Sequence, residues 1–297
     1  MSDRYRPVRA SRSRFVDARG LRHHVRCWGE DVGRPLVMLH GWMDASASFQ
    51  FVVDALGAER RVLAPDWRGF GLTGRPLADS YWFPDYLADL DALLDSIWPG
   101  GAVDLVAHSM GGNVAMIYAG LRPARVRRLV NLEGYGLPGT TPVQAPGRMQ
   151  RWLDELREPA TARRYPSLEA LAERLASTNP RLPIDKARWL ADHTSAPVDD
   201  GRRVPLGDPV HRRVNPYLYR VDETIEIWRG IAAPVLLVES ADALSDPQRA
   251  WIREPEYAVR LGVVRDLRRV RIEQAGHMLH HDQPDVVAAL IEEFIDG

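Results

Sequence analysis

Residues 104–120, DLVAHSMGGNVAMIYAG, run as an apolar strand up to His108, break at Ser109, and resume after two glycines with apolar residues at helical spacing. A chain that turns from strand to helix within one or two residues needs small side chains on either side of the bend, so that the two elements can pass closely. Ala107 and Gly111 meet that need, two residues before and two after the serine. Such bends hold backbone strain on the order of 1–3 kcal/mol. A serine acting only as a helix N-cap needs no such strain, and an ordinary capped junction is the competing reading of these five residues taken alone.

The same form recurs along the chain. RFVDARG and LRHHVRCWG are expected as two strands joined by a hairpin turn at Ala18-Arg19-Gly20. PLVMLHG is a nearly continuous apolar run ending in glycine, as a strand buried on both faces should be, and RRVLAPDWRG, VRRLVNLEG, PVLLVES and LRRVRIEQAG repeat it. Between them, YLADLDALLDSI and GNVAMIYAGL carry helical periodicity, and PDVVAALIEEFI does so late in the chain. Strand and helix in alternation predict an α/β fold with a mostly parallel central sheet flanked by helices. Residues 135–229 depart from the rhythm. GRMQRWLDEL, SLEALAERLAS and KARWLADH are helical in pattern, are punctuated by prolines, and leave no evident buried strand. The expected organisation is therefore a core of residues 1–134 and 230–297 with a helical cap inserted over 135–229.

A chain of 297 residues, 45% of them hydrophobic, can bury a core of that size. Its formal charge of −1 removes the broad attraction that drives most nucleic-acid binding, so no nucleic-acid partner is expected. Lys186 is the sole lysine, and no arginine run is long enough to read as a phosphate-binding tract. Cys27 stands alone, which rules out an internal disulfide or a cysteine-based zinc site and fits a reducing cytoplasm. No apolar stretch approaches the roughly 20 residues of a membrane helix, so a soluble protein without a membrane partner is expected. MSDRYRPVRASRSR reads as a frayed tail rather than a transit peptide, because Asp3 and the lack of an amphipathic period argue against the latter. Oligomerisation is left open.

Two further motifs give Ser109 company. LHGW, residues 39–42, follows an earlier buried strand, and a glycine after His40 lets the backbone turn outward. The amides of Trp42 and Met110 could then share a developing oxyanion, and losing one such donor costs roughly 2.7–4 kcal/mol of barrier lowering. His40 itself fits an organising role beside the substrate pocket. IEQAGHMLHHDQPD, just past the last strand, contains His277, whose near-neutral titration suits a group that takes a proton and returns it. His280 and His281 are rivals. H-x-x-H-H-D also has the look of a metal site, but Asp282 followed by Gln283, Pro284 and Asp285 reads better as a helix start, and no metal is expected.

Taken in order, LHGWMD, APDWRGFG, AHSMGG and AGHMLHHDQP resemble the α/β-hydrolase fold superfamily over almost the whole chain, and HGWMDASASF resembles its serine-hydrolase-like and bacterial esterase branches. Ala107 departs from the first glycine of the G-x-S-x-G elbow. The resemblance implies a Ser109 nucleophile, a His277 base and a carboxylate after the sixth or seventh strand to orient the imidazole. Glu133, directly before a glycine at the end of VRRLVNLEG, and Asp242, in LLVESADAL, both occupy such places, with Asp246 third. Glu133 has the cleaner strand register, whereas Asp242 arrives about one residue early and Ser240 stands where a glycine is usual.

The implied activity is hydrolysis of a small to medium, largely apolar acyl substrate through an acyl-enzyme, with no cofactor. Carbon–carbon hydrolysis of a ring-cleavage product and a non-catalytic ligand receptor are the alternatives. Haloalkane dehalogenation and epoxide hydrolysis need an aspartate where Ser109 stands. Trp42, Tyr135, Tyr217 and Trp228 are candidate pocket walls, and GDPVHRRVNPYLYR, which holds His211, Arg212, Arg213 and Tyr219, is a candidate lid face. Asp66 and Arg68 are expected to form a structural ion pair.

Overall fold

Strands whose residues are apolar at every position have to be covered on both faces, and that is how the runs are used. In the computed structural model, which describes residues 4–198 and 200–297, they form the middle of an eight-stranded sheet ordered β1-β2-β4-β3-β5-β6-β9-β10. The strands are β1 (Arg12–Ala18), β2 (Leu21–Trp28), β3 (Leu36–Leu39), β4 (Val62–Pro65), β5 (Val103–His108), β6 (Val126–Leu132), β9 (Val235–Ser240) and β10 (Leu267–Ile272). Pairing is antiparallel from β1 to β4 through β2, and parallel from β4 through β10. The first hairpin turns at Arg19 and Gly20, both with positive φ, between the paired residues Ala18 and Leu21. That geometry is the two-residue turn whose twist matches the flanking strands.

Alternate residues of each central strand enter opposite layers. Val37, Leu39, Leu105 and Leu237 face α2 (Phe83–Ile97) and α3 (Met110–Leu121). Leu36, Met38, Val106 and Leu236 face α1 (Gln50–Ala55) and α11 (Pro284–Asp296). All eight are at least 97% buried, and each side chain so covered contributes roughly 1.5–3 kcal/mol relative to exposure.

Between β6 and β9 lie α4 (Ala145–Leu156), α5 (Leu168–Thr178), α6 (Ile184–His193), α7 (Val221–Arg229) and a small hairpin, β7 (Ser195–Pro197) with β8 (Arg203–Pro205). That hairpin lies where only helices were expected. Its strands are three residues long, too short to show a period in sequence. α5 and α6 close around Leu171, Ala172, Leu182 and Leu190, and this minor core also takes in Phe51 from α1. α7 instead packs on α3. A Cβ added at Gly120 would lie 2.1 Å from the Ile227 carbonyl oxygen, so only glycine allows the two helices so close. α8 (Ala241–Ser245), α9 (Pro255–Leu261) and α10 (Leu279–Asp282) complete the chain.

Two expectations are corrected at this level. Asp3, part of the argument for a frayed tail, lies outside the described residues, but the residues after it are not frayed. Tyr5 packs edge-on against Phe51 and Trp189, and Arg9 N–H donates to Asp54 Oδ1 at 2.9 Å. Asp66 and Arg68 do not pair with each other. Arg68 reaches Asp89 at 2.7 Å and Asp85 at 3.1 Å, whereas Asp66 accepts from His24 at 2.7 Å and from the Ser46 and Leu72 amides. Burial alone would raise the Asp66 carboxyl, but the hydrogen bond and charge of His24, the nearby His40 and the Leu72 amide hold it down to about 2. In the described residues, no helix is long and apolar enough to cross a membrane.

Candidate active site

β5 ends at His108 and α3 begins at Met110, leaving Ser109 alone at φ 52° and ψ −113°. For a side chain larger than glycine's that is a strained conformation. Small neighbours permit it. A Cβ at Gly111 would sit 2.3 Å from the Leu39 carbonyl oxygen, and one at Gly41 would sit 3.3 Å from Ser109 Cβ. Helix α3 and the loop after β3 therefore both close on the serine. Met110 opens α3, so its amide has no partner a turn earlier and carries the positive end of the helix dipole. Trp42 directly follows the glycine that abuts Ser109, which brings its backbone to the same place.

β6 delivers Glu133, also left-handed at φ 59°, with its N–H bonded to the Val238 carbonyl of β9 at 3.0 Å. Its fully buried carboxylate is held on both oxygens. Oε1 accepts the Ser240 amide at 2.8 Å and the Ser240 hydroxyl. Oε2 accepts His277 Nδ1–H at 2.6 Å and Arg249 Nη1–H at 2.8 Å. Burial opposes ionisation, yet the bonds and charge of His277, with those of Ser240, hold the Glu133 carboxyl below its ordinary range. On its other side, His277 Nε2 lies 2.9 Å from Ser109 Oγ. The loop after β10 that presents His277 is braced twice: Asp282 Oδ2 accepts Gly276 N–H at 2.8 Å, and His108 Nε2–H donates to the His277 carbonyl at 2.8 Å. Asp282 thus closes α10 and braces this loop, and Gln283 is the residue ahead of α11.

Asp242 is elsewhere. It opens α8 with a half-exposed carboxylate paired to Arg181 at 2.7 Å, and makes no bond to His277. Asp246 caps the helical turn Pro247–Arg253 through the Gln248 amide. Of the two carboxylates left open by the sequence, only Glu133 meets the imidazole.

Ser109 and His277 open on a cavity of about 480 Å³ walled by Trp42, Phe83, Met110, Tyr135, Leu137 and Trp251. Asn113, Glu133, Gln248 and Arg249 are further polar members of its lining. Two expected wall residues, Tyr217 and Trp228, are not there, and neither is His40, expected beside the pocket. His40 is fully buried, with Nδ1–H donating to the Gly41 carbonyl and Nε2 accepting Trp67 N–H, so it shapes the loop without facing the cavity. Trp228 lies on the face of α7 that packs into the main core. Tyr217 is 62% exposed and lines a neighbouring apolar groove with Trp82, Ile117, Met149 and Tyr219. Within the expected lid face, His211 is buried and stacked between Phe70 and Tyr81. Phe83, Asn113, Trp251 and Arg249 were missed. Phe83 is the first residue of a helix whose pattern reads as packing, and Arg249 sits in an irregular turn with no motif around it.

Behind the serine lies a second cluster. Ser48 Oγ is 2.9 Å from His280 Nε2 and 2.7 Å from His281 Nε2, so both rival histidines turn away from Ser109. Donor atoms of Asp44, His108 and His280 lie within 4.8 Å of one another, the group among the described residues best placed to hold a metal ion. Burial pushes His108 and His280 well below the usual imidazole range and His281 down to about 3, and raises the Asp44 carboxyl to about 7.

A mostly parallel sheet with this elbow, and a serine, imidazole and carboxylate joined at the carboxyl ends of its parallel strands, define an architecture that sequence comparison also finds. The model of the alpha/beta hydrolase family matches residues 36–290, and the chain belongs to that family. It is 29% identical over 278 residues to a serine hydrolase-like protein of Danio rerio, covering 90% of this chain and 83% of that one. A 2-hydroxy-6-oxo-2,4-heptadienoate hydrolase of Pseudomonas putida is 37% identical over 133 residues, 44% of this chain and 47% of its own. Among solved structures, the thioesterase domain from the curacin biosynthetic pathway superposes with a TM-score of 0.83 at 23% identity, covering 96% of this chain and 99% of that domain, a likeness of fold.

Proposed function

We propose that the protein is a serine hydrolase of the cytoplasm that cleaves a small to medium, largely apolar acyl ester through an acyl-enzyme. The observation that carries this is the unbroken path of hydrogen bonds from Ser109 Oγ through His277 to Glu133. His277 Nε2 takes the Ser109 proton as Oγ bonds to the substrate carbonyl carbon, and the Glu133 carboxylate offsets the charge of the resulting imidazolium. The carbonyl oxygen, now negative, is received by the amides of Trp42 and Met110. Return of the proton from His277 releases the alcohol, and water repeats the sequence on the acyl-enzyme. Aromatic and aliphatic walls fit an apolar acyl group, and residues 135–229, read as a cap, supply Tyr135 and Leu137 to that wall.

Hydrolysis of a carbon–carbon bond is a second reading, supported by the partial likeness to the Pseudomonas putida heptadienoate hydrolase. A fluorophosphonate probe is expected to label the native protein and not Ser109→Ala, and short p-nitrophenyl esters are expected to turn over. Rapid cleavage of a dienoate ring-fission product with slow ester turnover would select the second reading. Absence of both labelling and turnover would leave the fold as that of a ligand receptor.

A further inference from the structure

Glu133 has more partners than a triad acid needs. Ser240 supplies two donors to Oε1 and His277 one to Oε2, which leaves one acceptor position on the carboxylate. Arg249 takes it, on the same oxygen that His277 uses. Arg249 comes from none of the elements that present the three reacting side chains. It projects from the turn Pro247–Arg253, lies 23% exposed, and lines the cavity over Ser109. Its Nε is 3.7 Å from Asp246 Oδ2, a loose contact that leaves its orientation to Glu133.

We propose that Arg249 is a positioning residue of this site: by occupying the Glu133 oxygen shared with His277, it fixes the carboxylate and withholds part of its charge from the imidazole. This rests on Ser109, His277 and Glu133 reacting as described above. A carboxylate facing only neutral donors would give its full charge to an imidazolium and so favour the protonated ring. A guanidinium 2.8 Å from the same oxygen opposes that. Held in that way, the Glu133 carboxylate keeps the His277 ring turned with Nε2 toward Ser109. Arg249 makes no hydrogen bond to Ser109 or His277 and works entirely through Glu133.

The other ionisable groups around the pair are accounted for. His108 on β5 lies beside His277 with ring centroids 4.8 Å apart, His280 stands behind it, and burial holds both neutral. Asp282 braces Gly276, and Asp242 is matched by Arg181. Tyr135, on the cavity wall, packs edge-on to Tyr257 in the core behind it, and burial raises both phenols out of the working range. Asp246 shares Arg249 and is a further anion beside it. Among these groups Arg249 is the cation in direct contact with Glu133.

The test is the pH profile of kcat/KM on p-nitrophenyl butyrate for the native protein, Arg249→Gln and Arg249→Lys. Removing the cation favours the protonated imidazole, so the midpoint of the acidic limb should rise by about one pH unit in Arg249→Gln. In the same variant kcat at pH 7 should drop roughly tenfold, with KM within about twofold, while Arg249→Lys restores most of the midpoint and rate. Arg249→Met, which keeps the stem, replaces the glutamine variant if that one does not fold. A midpoint unchanged or lowered in a folded variant overturns the proposal, even if thermal stability falls. Should the native protein neither label nor turn over, the hydrolase reading fails by itself. The titration of His277 followed by NMR in histidine-labelled native and variant protein then still decides whether Arg249 governs the imidazole.

Discussion

Glu133 and Asp242 look equivalent along the chain and are opposite in space. Glu133→Gln keeps the size of the side chain but ends its charge, and kcat/KM on an ester that the native protein hydrolyses is expected to fall by roughly 10³–10⁴. Asp242→Asn breaks only a half-exposed ion pair and should stay within about twofold. Steady-state kinetics of the two variants side by side checks both. The meeting of Ser109 with His277 was legible because a strand-to-helix bend and a histidine past the last strand each need particular residues at particular spacings. Which carboxylate meets the imidazole was not, because what separates the candidates is direction. A left-handed backbone at Glu133 turns its carboxylate inward, and a helix start at Asp242 leaves its carboxylate to Arg181. Tyr217 and Trp228 were misplaced as pocket walls for the same reason: a side chain's chemistry can be read from its letter, but not which side of a loop or helix it occupies. Arg249 left no trace, since a single arginine in an irregular turn resembles any of its many surface counterparts.

Periodicity revealed the elements of the main sheet and the helices over it, because each apolar run is matched to a face that must be covered. It did not reveal which helices belong together. α7 lies in the stretch between β6 and β9 but packs on α3, and the reason is a backbone approach at Gly120. The glycine is an unremarkable end to GNVAMIYAGL in sequence. Gly120→Ala would place a methyl group against the Ile227 carbonyl, so the helices must part, and a loss of roughly 1–3 kcal/mol in unfolding free energy is expected. Urea denaturation measures it. An unchanged midpoint would mean that α7 yields at no cost, contrary to its buried Trp228.

At the scale of the whole molecule, buried imidazoles set the response to acid. His211 and His281 are lowered to about 3 by burial, and His108 and His280 are lowered well below the ordinary value. A group with a depressed folded value contributes stability that is fully present above its unfolded value, near 6.5, and is lost as the pH falls towards the folded one. At pH 5 each imidazole that stays neutral costs the fold about 2 kcal/mol relative to the unfolded chain, which takes up the proton. Asp66 adds a similar loss at lower pH, from near 3.8 down to about 2. Asp44 works the other way. Raised to about 7, its stabilising contribution is full below 3.8 and is lost as the pH climbs through 7. One aspartate does not offset four histidines, so Tm should fall by roughly 5–10 °C between pH 7 and pH 5. Circular dichroism melts would show it, with a smaller fall in His281→Gln. A Tm flat over that range would contradict the burial of these rings as neutral groups.

The site is also a matter of timing. Ser109 and Glu133 stand just beyond β5 and β6, Ser240 ends β9, and His277 arrives only after β10. Those partners are far apart along the chain, and contacts of that kind are the slow ones to form. A copy still being synthesised, or one stalled before its final strand has docked, carries a serine no sharper than any other alcohol. On the hydrolase reading proposed above, the power to attack is conferred only once β10 has docked and brought His277 to the serine.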